Sequence, residues 1–452
     1  MDQLSGFDFI ALNFDDDGKP TSAAAQATLL QHVATAGTTD VVLMAHGFRN
    51  DEREALHLYR DFFENVHAHL SRAELKDQLA SRKFAIGGIF WPSKSFSEGG
   101  GGGGASDGGS VQGLGDADDE LDATRAQLKR MRDDLVPPAQ QGVVTKALAL
   151  LDQLEDDPDK QNEFVALMLS LVEESESDPT EGLAELKAQD GADLLAKLGT
   201  PIILPTSQES ADGGVMSVGG GGGTSDEGRP LFIGGFFKSV GGRVGQFLNM
   251  TTWYMMKNRS GTVGAVGVAP VVRALKSAHP NVRVHLVGHS LGGRCMAACI
   301  KALSAAPQVR PDSVSLLEAA FSHYGFSANN GKGSAGFFRD VVAKRTVRGP
   351  FISTYSYQDT VVGVAYAVSS RLAGDNVKAI GDKDDQYGGI GRNGTQRTDE
   401  ARTQPLHKVG EPYAFAADVV HNLDGSGGGI KNHGDVTNDR VTYAVAWAIA
   451  GT

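Results

Sequence analysis

The clearest apolar stripe in this chain runs at helical spacing. Phe164, Leu167, Met168, Leu171 and Val172 fall at i, i+3, i+4, i+7 and i+8, which aligns them on one face of an amphipathic helix. Leu121, Leu128, Met131 and Leu135 make a sparser stripe, and Val144, Ala147, Leu148 and Leu151 a third. Leu183, Leu186, Leu194 and Leu198 predict a fourth helix. Elsewhere the pattern changes. Val41, Val42, Leu43, Met44 and Ala45 form an unbroken apolar run, the signature of a strand buried on both faces of a parallel sheet. Helical spacing returns over 51–70, with Leu56, Tyr59, Phe62, Phe63 and Val66 on one side. Strands are predicted at 84–90, 282–287, 313–321, 351–357 and 413–420. Helices are predicted at 291–303, 365–372 and 441–449. A further helical stretch, 246–278, is expected to break near Gly261 and Gly264. Alternation of strand and helix implies a parallel sheet with helices on both faces.

Two glycine runs, 99–104 and 219–223, divide the chain. Such runs lose too much backbone entropy on ordering to hold regular structure, and read as joints. Neither continues into Gly-Lys-Ser/Thr, so neither is a phosphate-binding loop, and Lys332 in Gly-Lys-Gly-Ser fails that pattern too. The expected organisation is a first core part, 1–98, then an acidic, mostly helical insertion, 99–228, then a second core part, 229–452. The insertion is expected to act as a mobile cover, as a docking segment for a protein partner, or as a plain helical bundle packed on the body. Its faces carry runs such as Glu173, Glu174, Glu176 and Asp178.

Composition narrows the picture. The formal net charge is −13, which argues against nucleic-acid binding because such a surface repels phosphate. Cys295 and Cys299 are the only cysteines. Their i, i+4 spacing suits packing inside a helix, and they are too few for a disulfide framework or a zinc site. No stretch approaches the length of a membrane span, and the first residues lack the pattern of a secretion signal. A cytoplasmic location is expected, export without a cleaved signal remaining open. Asn249, Asn258 and Asn393 begin N-x-S/T triplets that are read as chance matches. Asp15, Asp16, Asp17 and Gly18 lack the later ligands of a calcium loop and read as a turn between two early strands. No cofactor or metal is expected.

The chemistry sits where an apolar strand meets a helix. Val284 to Gly293 reads Val-His-Leu-Val-Gly-His-Ser-Leu-Gly-Gly. Gly288 and Gly292 flank Ser290 and remove side chains that would collide across a sharp strand-to-helix turn, which leaves the hydroxyl presented at the sheet edge. The first N–H of the following helix, that of Leu291, points at a charge developing beside Ser290.

With this motif the chain resembles the α/β-hydrolase superfamily, in particular its lipase- and esterase-like members with a Gly-His-Ser-Leu-Gly-Gly elbow. The resemblance covers the core parts and not residues 105–218. It implies a serine hydrolase with Ser290 as nucleophile, followed along the chain by an acid and then a histidine. Asp359, at the end of the 351–357 strand, fits the acid, ahead of Asp312 and Asp375. His433, in Asn-His-Gly-Asp before the last helix, fits the base, ahead of His421. Asp435 reads as a cap for that helix. The resemblance also implies that the backbone N–H of Phe48, after His46 and Gly47, joins Leu291 in an oxyanion hole. Asn50 or Asp51 is expected to cap the following helix. Trp253, Tyr254, Met255 and Met256 read as helix core. The expected substrate is a carboxylic ester, small or lipidic. The alternatives are an amide or peptide hydrolase, a toxin-like lipase effector whose insertion binds a partner, and a non-catalytic binding module on the same fold.

Overall fold

The structure is a computed structural model and describes residues 2–93, 117–173, 179–199, 204–205, 215–216, 239–306, 308–372 and 383–452. Both glycine runs and Asp375 lie outside the described residues. So do Glu174, Glu176 and Asp178 of the acidic run.

Nine described strands form one sheet: β1 (Asp2–Leu4), β2 (Phe7–Asn13), β3 (Asp40–Ala45), β4 (Phe84–Phe90), β7 (Arg283–His289), β8 (Ser313–Leu317), β9 (Phe351–Tyr355), β10 (Ala401–Pro405) and β11 (Val420–Asp424). The two short strands between them in the chain, β5 (Leu204–Pro205) and β6 (Val215–Met216), pair only with each other. The sheet order is β1-β2-β4-β3-β7-β8-β9-β11-β10. Only β1 runs antiparallel to its neighbour; every other pairing is parallel. The C-terminal tips of β3, β7, β8, β9 and β11 therefore share one edge, where open α/β sheets assemble their sites.

The period of two in the strands sorts their side chains into two cores. Val41, Leu43 and Ala45 of β3 pack with Phe247, Leu248 and Ile300, whereas Val42 and Met44 pack with Tyr59, Phe62 and Val445. The helices on the first side are α1 (Ala23–Ala36), and later α9 (Val240–Thr262), α10 (Ala269–Ala278) and α11 (Leu291–Leu303). Those on the second side are α2 (Glu52–Leu70), α3 (Ala73–Leu79) and α15 (Asp439–Ala450). The sequence-predicted α/β architecture with helices on both faces is thus present.

Several boundaries differ from expectation. The 246–278 stretch does not break at its glycines. It passes from α9 through a π-helical turn, Val263–Val268, into α10. A Cβ at Gly264 would collide with the Cys295 carbonyl oxygen, and one at Gly261 with the Arg294 guanidinium. These glycines let α11 lie close against α9 rather than ending a helix. The predicted 313–321 strand stops at Leu317, because Glu318 turns to φ 42. The predicted last strand at 413–420 is irregular until Val420. Tyr413 stacks on His407 and on Phe415, and Asp418 has φ 63. The strand is β11, and its neighbour β10 carries the polar sequence of a part-exposed edge that shows no apolar alternation. The acidic turn does not join two strands. Asp15 Oδ1 accepts from the N–H groups of Asp17 and Lys19, and the chain returns through a Phe14–Pro20 bridge to α1.

Within 117–199 the described residues form α4 (Ala117–Arg130), α5 (Gln141–Leu150), α6 (Pro158–Leu169), α7 (Leu183–Lys187) and α8 (Gly191–Leu198). The expected fourth helix is two, because Asp190 caps a new one: its carboxylate accepts from the N–H groups of Ala192 and Asp193. These helices share the first core. Leu128, Val144, Phe164, Met168, Leu186 and Leu194 are buried in the same cluster as Phe247 and Met250 of α9. Two further anchors reach the body. Thr124 Oγ1 donates to the Gly241 carbonyl at 2.9 Å, and Tyr254 Oη donates to the Glu181 carbonyl at 2.6 Å. The fully buried Glu181 side chain forms an ion pair with the buried Lys257 of α9 and accepts from Ser322 N–H at 2.9 Å. Its two carboxylate oxygens also lie 3.0 Å from the hydroxyl of Tyr366, which belongs to α13 (Thr360–Leu372). Trp253 to Met256 accordingly serve as helix core against this segment and α13.

Candidate active site

Ser290 sits between the end of β7 and the first residue of α11, with φ 55 and ψ −124. A non-glycine residue held there stores about 1–3 kcal/mol that the surroundings must supply. They do so on several sides. Ser290 N–H donates to the Leu317 carbonyl at 3.1 Å, and its own carbonyl accepts from Ala320 N–H at 2.9 Å. A Cβ on Gly288 would collide with the Gly292 backbone, and one on Gly292 with the carbonyl oxygens of Ala45 and His46. Both motif glycines are therefore required by close backbone approach. Cys295 and Cys299 are buried in α11, and burial pushes the Cys295 thiol up to about 12. Both are packing groups rather than nucleophiles.

The Gly292 contact puts the loop after β3 against the elbow. Ala45 pairs with Gly288 in the sheet, so His46, Gly47 and Phe48 continue alongside Ser290 and Leu291. The His46 ring stacks on Trp91 at 5.6 Å, and Trp91 Nε1 donates to the His46 carbonyl at 3.0 Å. The N–H groups of Arg49 and Asn50 donate to Ser93 O and Oγ at 3.0 and 3.1 Å. Asp51 forms a capping box with Glu54 at the start of α2, so the cap is Asp51 rather than Asn50. Phe48 lies half-buried in this pinned loop. Leu291, as the first helical residue, has an N–H with no acceptor inside its own helix.

Asp359 and His433 meet. His433 Nδ1 lies 2.8 Å from Asp359 Oδ2, and both residues are buried. The other Asp359 oxygen accepts from Val362 N–H at 2.9 Å, at the start of α13. Each Asp359 oxygen thus has one hydrogen-bond partner. The Nδ1 proton is then committed to Asp359, leaving the Nε2 lone pair of His433 for acid–base use. The two supporting loops are tied together, because Ser356 Oγ donates to the Ile430 carbonyl at 3.1 Å. The ring of His289, the residue before Ser290, packs tilted against that of His433 with centroids 4.7 Å apart, and its Nε2 donates to the His433 carbonyl at 2.9 Å. The histidine is thus held beside the elbow.

The rivals lie elsewhere. His421 is inside β11, and its ring Nε2 accepts from Ala416 N–H at 2.9 Å. Asp312 pairs with Lys276 and accepts from Val284 N–H at 2.9 Å, near the start of β7 and so at the opposite edge. Asp435 is not the cap of α15. That role belongs to Asn438, which accepts from the N–H groups of Arg440 and Val441. Asp435 instead accepts from Lys431 N–H at 2.9 Å and closes the loop carrying His433.

One residue of the site has no sequence motif. Glu318 follows β8, fully buried, with its N–H donated to Thr354 Oγ1 at 3.1 Å. Its Oε2 is 4.0 Å from His433 Nδ1. Burial and the negative charges of Asp359 and Asp435 push its carboxyl well above the usual range. Glu318, Asp359 and His433 offer ligand atoms within 4.8 Å of one another, the one such group among the described residues. A cation there would have to displace the proton shared by His433 and Asp359, so the group fits a proton relay better than an ion cage.

No described helix is long and apolar enough to cross a membrane. Comparison of the chain with protein-family models, with curated proteins and with solved structures finds no match.

Proposed function

We propose that this chain is a serine hydrolase of the α/β-hydrolase fold that cleaves a carboxylic ester through an acyl-serine intermediate. The observation that carries the reading is the strained Ser290 at the tip of β7, beside a histidine whose far nitrogen is hydrogen-bonded to a buried aspartate. A binding module would have no use for a strained serine and a buried carboxylate–imidazole pair, both of which cost stability.

In this reading His433 Nε2 takes the Ser290 proton as Oγ attacks the ester carbonyl carbon. The carbonyl oxygen becomes an anion, which the backbone N–H groups of Phe48 and Leu291 stabilise. Collapse of that intermediate breaks the bond to the alcohol oxygen, which receives the proton from His433. Water then attacks the acyl-serine with His433 again as base, releasing acid and regenerating Ser290. Asp359 holds the imidazole in the required tautomer and stabilises its cation.

The insertion is proposed as a fixed wall of the acyl site. Glu181 grips Ser322, two residues beyond the Ala320 that bonds to Ser290. The buried residues of the insertion are apolar, so a site walled by it would favour an apolar acyl group over a charged one. A panel of nitrophenyl esters from acetyl to hexadecanoyl, with matched nitroanilides, tests this. The expected result is faster turnover of medium or long acyl esters than of acetyl, with anilides slower throughout. Equal turnover of esters and anilides would replace the esterase reading by an amidase one.

A further inference from the structure

The carboxyl of Glu318 has no role in the reaction as described, yet it lies against the acid–base pair. Asp359 receives one N–H on each oxygen, from Val362 and from His433. Neither oxygen of Glu318 has a hydrogen-bond partner among the described residues, and its carboxyl lies within 4.8 Å of the ligand atoms of Asp359 and His433. Two adjoining buried carboxyls cannot both be charged, because neither the field of the other nor the low dielectric permits it. The charge belongs on the one that is solvated by donors, and the proton on the one that is not.

We propose that Glu318 is a positioning residue for the triad: as a neutral carboxylic acid it donates a hydrogen bond to the Asp359 carboxylate and holds that carboxylate facing His433. This deepens the acyl-serine reading and rests on it.

The surroundings agree. Glu318 is faced by Asp359 from the turn after β9 and by His433 from the loop after β11, and Asp435 of that loop adds negative charge to its field. The cation of α14 (Ile390–Asn393), Arg392, donates to the carbonyls of Tyr357 and Asp359. The backbone is fixed as well. Glu318 has φ 42, its N–H bonds to β9, and a Cβ on Gly391 would collide with its carbonyl. A side chain delivered from so constrained a backbone has few rotamers to lose, which suits a group whose task is alignment. A second negative charge at this place would compete with Asp359 for the imidazole proton. A neutral donor orients Asp359 without that competition.

The test compares Glu318→Gln, which keeps a neutral donor, with Glu318→Met, which keeps the length and removes it. Two readouts are taken on the full chain. One is kcat and KM on the best ester. The other is the low-field proton resonance of His433 Nδ1–H, assigned by its loss in His433→Gln, which needs no turnover. Glu318→Met is expected to lower kcat by about 10–100-fold with KM little changed, the usual cost of losing a group that orients a site residue. Its low-field resonance should move or broaden. Glu318→Gln is expected to restore both. A resonance and kcat unchanged in folded Glu318→Met overturn the proposal and leave the hydrolase reading intact. A resonance that responds as expected in a protein without esterase activity supports the positioning role and rejects the hydrolase reading. Should Glu318→Met fail to fold, Glu318→Gln decides: a kcat as low as that of Asp359→Asn overturns the proposal.

Discussion

Ser290→Ala is expected to remove ester hydrolysis, and adding His433→Ala to it is expected to remove nothing more. The serine oxygen and the imidazole act as one unit, so either deletion disables the whole step. Each single variant and the double should lose kcat by a factor on the order of 10⁶, with Asp359→Asn losing about 10⁴. All should keep the fold. Ser290 contributes backbone bonds that alanine retains, and its φ of 55 is no easier for serine than for alanine. Steady-state kinetics on the four purified proteins read this directly. Effects that multiply would mean that Ser290 and His433 act in separate processes.

The second large effect concerns the buried ion pair between Lys257 and Glu181. Lys257→Met leaves the Glu181 carboxylate buried without its cation, which is expected to cost about 3–5 kcal/mol. Tyr366 and Ser322 still donate to Glu181, but neither supplies a positive charge. The loss should be local before it is global, because Glu181 joins the insertion to α9, α13 and the segment after β8. Amide exchange should accelerate over 117–199 while β7 remains protected. Introducing Glu181→Gln into Lys257→Met should recover most of the loss, since no charge is then buried. Exchange over 117–199 that is unchanged in Lys257→Met would mean that the apolar contacts alone hold the segment. A mobile cover, the expectation from the glycine joints, fits this buried anchor poorly. Excising 105–218 would also strip the apolar neighbours of Phe247 and Met250.

What was legible in the sequence was local. The elbow is a turn between adjacent elements, and its geometry demands small residues at fixed offsets from Ser290. Asp359 and His433 follow from the order of residues that the resemblance implies, Asp359 at the end of the 351–357 strand and His433 in the loop before the last helix; the structure brings the two into hydrogen-bond contact. The tertiary contacts were not legible. Glu318 lies at the end of an apolar run and looked like its continuation. Only the pairing of β8 between β7 and β9 brings it to Asp359. Glu181 closes an acidic stretch that reads as a solvated face, and its burial depends on a lysine on a distant helix. The glycines of α9 looked like helix breakers because nothing local reveals that α11 approaches there. β10 was invisible because a part-exposed edge strand such as Ala401–Pro405 need not carry apolar alternation.

The central claim is that Ser290 is an activated nucleophile, and covalent labelling tests it without knowledge of the substrate. The native chain is incubated with a fluorophosphonate and digested, and the modified peptide is sequenced by mass spectrometry. The account predicts one phosphonyl group per chain, carried on Ser290. It also predicts loss of labelling in Ser290→Ala and strong slowing in His433→Ala. Folded protein that stays unlabelled, or label on another serine that persists in Ser290→Ala, would contradict it.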